Sequence, residues 1–156
     1  MGALIHERRL HAIESLVKDA VDRGARIEAG GHRIGNRGAF FEPTIISHVD
    51  PSMRIMNEEP FGPVALVSPF TSLDDAIAEA NRLPVGLGAF AFTRNGATAQ
   101  RFADEIETGM LSLNHIGFGL PEVPFGGIGD SGYGSEGGSD AIEPYLTPKF
   151  ITSLAI

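Results

Sequence analysis

The feature that most constrains this chain is the alternation of strand-length apolar runs with helical stripes across residues 64 to 114. Val64 to Phe70 is almost continuously apolar and leads into Ser72-Leu73-Asp74-Asp75, where Ser72 can cap a helix and Asp75 can reach back to it. Leu73, Ala76, Ile77 and Ala80 then share one helical face. Gly86 to Thr93 reads as a second buried strand. Ala99, Phe102, Ala103 and Ile106 mark a helix that Gly109 ends, and Met110 to Asn114 is a third strand. Strands separated by helices of this length predict βαβ units, hence an α/β fold with a largely parallel sheet covered by flanking helices.

The upstream part fits the same class. From Glu7 to Arg23, Leu10, Ile13, Leu16, Val17, Ala20 and Val21 form one apolar stripe, and Gly24 is a natural stop. Ala25 to Ala29 and Phe40 to Ile46 suit short strands on either side of a Gly30-Gly31 turn. From Ile116 to Gly138 the chain turns Gly- and Pro-rich and aperiodic, too long for a plain connection, which argues for a functional loop. A short helical segment around Ala141 to Tyr145 and a last strand, Lys149 to Ile156, follow.

Composition narrows the function. The 156 residues carry a formal charge of -8, with 12 Lys and Arg against 20 Asp and Glu, which leaves no basic face for a phosphate backbone and argues against nucleic acid. No run approaches the roughly 20 apolar residues that cross a bilayer. The first residues lack the basic-then-apolar order of a secretory signal, so no membrane partner and a cytoplasmic location are expected. There is no cysteine, which removes disulfides, thiolate metal sites and thiol nucleophiles together. The five histidines show no H-E-x-x-H pair and no helical pairing, so no metal is expected.

Several local patterns resemble chemistry. Gly127-Ile128-Gly129-Asp130-Ser131-Gly132 satisfies G-x-G-x-x-G, but Pro121 and Pro124 precede it where a dinucleotide cradle needs a buried strand, and more glycine follows where it needs a helix. Gly129-Asp130-Ser131-Gly132 resembles the nucleophile segment of chymotrypsin-like proteases, an all-β fold that the helices contradict. Glu58-Glu59-Pro60-Phe61-Gly62-Pro63 sets two carboxylates and an aromatic just before a buried strand, where α/β sites form, although adjacent carboxylates are usually solvated turn residues.

Taken together, these residues resemble the aldehyde dehydrogenase superfamily, in its succinate-semialdehyde dehydrogenase-like members, from about Glu7 onward. Glu59-Pro60-Phe61-Gly62-Pro63-Val64 is similar to the family's E-x-F-G-P-V segment. Asn114, followed ten residues later by Pro124-Phe125-Gly126-Gly127, is similar to its N and P-F-G-G pair, and Ser131-Gly132-Tyr133-Gly134-Ser135-Glu136 to its S-G-x-G-R-E. The resemblance implies that residues 1 to 148 are the later part of the catalytic domain and 149 to 156 an oligomerisation strand. It implies NAD or NADP as cofactor, an aldehyde as substrate and a homo-oligomer. Glu59 would hold the nicotinamide-ribose hydroxyls and Phe61 would pack beside them, its alternative being an ordinary core aromatic. His115, Ile116, Phe118 and Phe125 would shape the substrate pocket. Glu136 would assist a proton relay or serve as a turn acceptor, and Asn114 would satisfy loop backbone groups. The sequence departs from the family pattern at Gly129, where lysine is common, and at Ser135, where arginine is usual. The family's nucleophilic cysteine, general-base glutamate and cofactor-binding domain lie upstream of the matched region, so the chain alone is expected to be inactive. The alternatives are a non-catalytic assembly partner acting through strand pairing and an independent nucleotide-binding module.

Overall fold

A computed structural model describes residues 1 to 155 and resolves the chain into two compact units, residues 1–70 and 71–156. In the first, α1 (Glu7–Asp22) follows the predicted stripe: Leu10, Ile13, Leu16, Val17 and Ala20 are buried. His6 caps it, its Nδ1 accepting from the Arg9 amide at 3.1 Å. Gly24 ends it at φ +100°, a conformation glycine adopts without strain. Strands β1 (Arg26–Ala29), β2 (Thr44–Ser47) and β3 (Val64–Val67) form one sheet, with β1 antiparallel to β2 and β2 parallel to β3. A 3-10 turn at Arg54–Met56 lies between β2 and β3. The core of this unit joins the α1 stripe to Phe41, Ile46, Val49, Met53 and Ile55.

The second unit contains α2 (Leu73–Ala80), β4 (Val85–Gly86), β5 (Gly88–Ala91), α3 (Gly96–Glu105), β6 (Met110–Leu113), β7 (Ile128–Gly129) and a 3-10 segment, Ser139–Tyr145. Ser72 caps α2 by accepting from the Asp75 amide at 3.1 Å. Asp75 accepts from Thr71 at 3.4 Å instead of closing the predicted box on Ser72. Asn95 caps α3 in the same way through the Thr98 amide. β5 and β6 pair in parallel around α3, the βαβ unit read from the sequence. Asn81, at the end of α2, donates to the Glu105 carbonyl at 2.7 Å and accepts from the Glu107 amide at 2.9 Å, binding the two helix ends together.

The α/β class is as expected, and two features of the sheet differ from the sequence reading. Gly86 to Thr93 is not one strand: β4 turns away to pair antiparallel with β7, and β5 pairs with β6, so the ladder breaks at Leu87. The strands are also not covered on both faces. Phe90 is 48% and Phe92 63% exposed on one face of β5 and its extension. Residues 149 to 155 form no ladder within the chain, and Ile156 lies outside the described residues.

Candidate functional site

In the first unit, the Glu58-Glu59 pair divides into two settings. Glu58 takes a two-pronged ion pair from Arg54, Nε to Oε1 at 2.8 Å and Nη2 to Oε2 at 3.0 Å, which holds its carboxyl below the usual range. Glu59 stands exposed outside that pair. Two residues on, Phe61 has φ +28°, a region non-glycine residues rarely occupy and one that recurs at ligand sites. Its ring is 63% exposed, so it is not a core aromatic of this chain. The Arg9 guanidinium sits 5.6 Å from the ring centroid, within cation-π range, beside an open groove bordered by residues 3 to 6. Gly62 lets this turn approach α1 closely: a Cβ there would lie 2.7 Å from Ile13 Cδ1. The exposed carboxylate and the exposed ring thus sit on a turn pinned to the most deeply buried face of α1.

In the second unit, the loop after β6 is held at several points. Ser112 is 2% exposed, and its Oγ donates to the Gly117 carbonyl at 3.0 Å and lies 3.0 Å from the His115 ring nitrogens. His115 Nδ1 accepts from the Gly117 amide at 3.1 Å. Phe118 stacks on Phe90 with centroids 4.4 Å apart, over Gly88, where a Cβ would meet the Phe118 ring at 2.7 Å. Asn114 takes the left-handed φ of +62° that asparagine tolerates, and its Oδ1 accepts from the Thr93 amide at 2.8 Å. Ile116, Leu120 and Phe125 remain exposed.

Phe125 and Glu136 form an antiparallel bridge, the amide of each donating to the carbonyl of the other. In such a pair both side chains stand on one face, with Cα atoms about 5.5 Å apart. The structure therefore brings Phe125 together with Glu136 across an eleven-residue separation. The surrounding glycines make this possible: a Cβ at Gly109 would fall 1.9 Å from the Gly126 carbonyl oxygen, and one at Gly126 would fall 2.6 Å from that of Gly134. Glu59 and Phe61 belong to the first unit and His115, Ile116, Phe118, Phe125 and Glu136 to the second.

Neither rejected motif gains a setting. Gly129 lies in β7 at φ +56°, and a turn, not a helix, follows it. Ser131 Oγ accepts from the Gly86 amide at 2.9 Å, a structural tie. Among the described residues no group of three or more His, Asp or Glu side chains could hold a metal. The sequence reading missed Ser112, Asn81 and Gly109. Ser112 had a visible signal, a lone hydroxyl within Met110-Leu111-Ser112-Leu113, since a buried hydroxyl needs a partner.

Comparison with known proteins identifies the family. The aldehyde dehydrogenase family profile matches residues 1–151. The 4-(hydroxymethyl)benzenesulfonate dehydrogenase TsaD1 of Comamonas testosteroni is 41% identical over 155 residues, covering 99% of this chain and 32% of that protein. The crystal structure of succinate-semialdehyde dehydrogenase from Burkholderia pseudomallei superposes with a TM-score of 0.88 at 36% identity, over 93% of this chain and 30% of that one. The NAD+ complex of an aldehyde dehydrogenase from Bacillus cereus gives 0.88 at 34% identity, over 93% and 30%. This chain spans about a third of the length of the relatives it matches. A profile match over nearly every residue and like folds at more than 30% identity place the chain in the aldehyde dehydrogenase family.

Proposed function

We propose that this chain is the C-terminal part of the catalytic domain of an NAD(P)-dependent aldehyde dehydrogenase, which oxidises an aldehyde to a carboxylic acid, and that it is inactive by itself. The observation that carries the reading is the pair of exposed groups at the Glu59 to Phe61 turn together with the absence of any cysteine. A thiol nucleophile and its general base must then come from outside these residues. The residues present fit the nicotinamide end of the cofactor: the Glu59 carboxylate can accept from two ribose hydroxyls, and Phe61 offers an apolar face beside it. The bound cofactor supplies the hydride acceptor. Glu59 and Phe61 hold and orient, while the 115 to 120 loop with Phe125 shapes the space for the aldehyde's side chain. Glu136, on the face it shares with Phe125, moves a proton at its carboxylate.

Two of the relatives carry anionic compounds in their names, a benzenesulfonate and succinate semialdehyde. At this level the substrate here is an aldehyde, the cofactor NAD or NADP, the location cytoplasmic and the assembly a homo-oligomer with residues 149–156 as the joining strand. The deciding experiment is the intact mass of the native polypeptide, compared with the 16.5 kDa of this chain. The expected result is a much larger mass, with a cysteine in the additional sequence.

A second reading has its own observation. Phe150, Ile151 and Leu154 are 90%, 74% and 92% exposed on a segment without a ladder, an unpaired apolar edge suited to another chain. A native mass of 16.5 kDa would favour this reading, in which the chain is a non-catalytic assembly partner of full-length subunits.

A further inference from the structure

Arg9 stands in the first turn of α1, one helical turn before Ile13, so the two side chains lie on one face of the helix. That face meets the Phe61-Gly62 turn at two successive residues. Ile13 packs at Gly62, where a Cβ would lie 2.7 Å from its Cδ1, and the Arg9 guanidinium sits over the Phe61 ring, 5.6 Å from the centroid. Leu10 and Ile13 are fully buried, and His6 takes the Arg9 amide at 3.1 Å, so the backbone from which Arg9 extends is fixed. Both partners belong to the first unit, and the contact needs nothing outside it.

The backbone of the turn is held separately. On one side, the Glu58 amide donates to the Arg54 carbonyl at 2.8 Å and the Glu58 carboxylate pairs with the Arg54 guanidinium. On the other, the Gly62 carbonyl accepts from the Val64 amide at 2.8 Å and the Pro63 carbonyl from the Thr44 amide at 2.7 Å. These ties support the unusual φ of +28° at Phe61, but none of them acts on its side-chain torsions. The ring is 63% exposed and lines an open groove of about 790 Å³, a size that small ligands occupy. An exposed phenylalanine samples several staggered rotamers, and a cation held over its face favours the one that keeps the two together.

We propose that Arg9 is a positioning residue for the cofactor. Its guanidinium, carried by α1, selects the Phe61 rotamer and so sets the ring that packs beside the nicotinamide end of NAD or NADP. A ring already in place spares the cofactor the entropy of ordering it and fixes the orientation from which hydride is accepted. The inference rests on the aldehyde dehydrogenase reading given above.

The test uses the native polypeptide that carries this chain and measures the Kd of NAD and of NADP by calorimetry in four forms: wild type, Arg9→Met, Arg9→Lys and Phe61→Leu, with the Arg9→Met, Phe61→Leu double variant completing the cycle. The expected result is a Kd about threefold higher in Arg9→Met for the cofactor that binds, the loss of one partly exposed cation-π contact. Arg9→Lys should restore most of it, and Arg9→Met should add nothing in the Phe61→Leu background. An equal loss in both backgrounds overturns the inference, because Arg9 then acts on the cofactor directly and not through the ring. An unchanged Kd in Arg9→Met overturns it as well. A 19F spectrum of the cofactor-free protein with 4-fluorophenylalanine at position 61 gives an independent readout: the signal should shift in Arg9→Met and stay in place in Arg9→Lys, and a signal indifferent to both refutes the contact. Failure of the wild type to bind either cofactor is a different result, which sinks the dehydrogenase reading and this inference with it.

Discussion

Phe125 and Glu136 exchange two backbone hydrogen bonds, Phe125 N to Glu136 O at 2.6 Å and Glu136 N to Phe125 O at 2.7 Å, and so close the glycine-rich loop on itself. Ten residues lie between them, including the two-residue β7 with its own ties to β4 and Gly86, and the bridge fixes the backbone from which the Glu136 side chain departs. The Glu136 amide should exchange slowly with solvent. Glu136→Pro removes that donor and should lower stability by about 1–3 kcal/mol, while Glu136→Gln, which keeps the backbone bonds, should leave the melting curve unchanged. Equal losses in the two variants would mean that the carboxylate, not the bridge, holds the loop.

Gly109 is the position least tolerant of a side chain. A methyl group there would collide with the backbone carbonyl of Gly126, which cannot yield as a flexible side chain would. Gly109→Ala should cost about 3 kcal/mol by forcing a backbone shift. Gly96, the first residue of α3, has open space around its Cβ position and no positive φ. Gly96→Ala should stabilise by about 0.5 kcal/mol by restricting the unfolded chain. Urea denaturation of the two variants checks both signs at once.

Ser112→Ala should uncouple the loop from β6. The hydroxyl is buried and serves the Gly117 carbonyl and the His115 ring, so its loss should cost about 1–2 kcal/mol. Amide exchange at residues 115 to 117 should accelerate while that of α1 stays unchanged. Exchange that rises uniformly along the chain would argue that Ser112 supports the whole unit and not the loop.

The Arg54–Glu58 pair predicts a particular response to acid. Hydrogen bonding from Arg54 lowers the Glu58 pKa in the folded chain below its ordinary value of 4.5. The folded state then binds the proton less readily than the unfolded one. The stabilisation is therefore fully present above about pH 4.5 and is lost as pH falls through the lowered folded value. Both groups are exposed, so the effect is read as a titration and not as a large change in stability. Carboxyl NMR should place the Glu58 midpoint below 4.5, and Arg54→Met should return it toward that value. A midpoint unmoved by the substitution would assign the shift to another cause.

The sequence by itself determined the elements whose signal is local. The stripe from Leu10 to Ala20 specifies α1 because helical spacing gathers those side chains on one face. Ser72 and Gly24 set helix ends through hydrogen-bonding capacity and backbone freedom that each residue carries on its own. The alternation of strand and helix gave the α/β class for the same reason, and the spacing of the E-P-F-G-P-V, P-F-G-G and S-G-Y-G-S-E segments carried the family. Tertiary structure alone decided the rest. That β4 leaves β5 to pair with β7, that Phe125 lies opposite Glu136, and that Gly109 yields its space to Gly126 all depend on residues far apart in the chain. Such pairings are fixed by which backbone groups find partners and which surfaces can approach, and neither is a property of any local stretch of sequence.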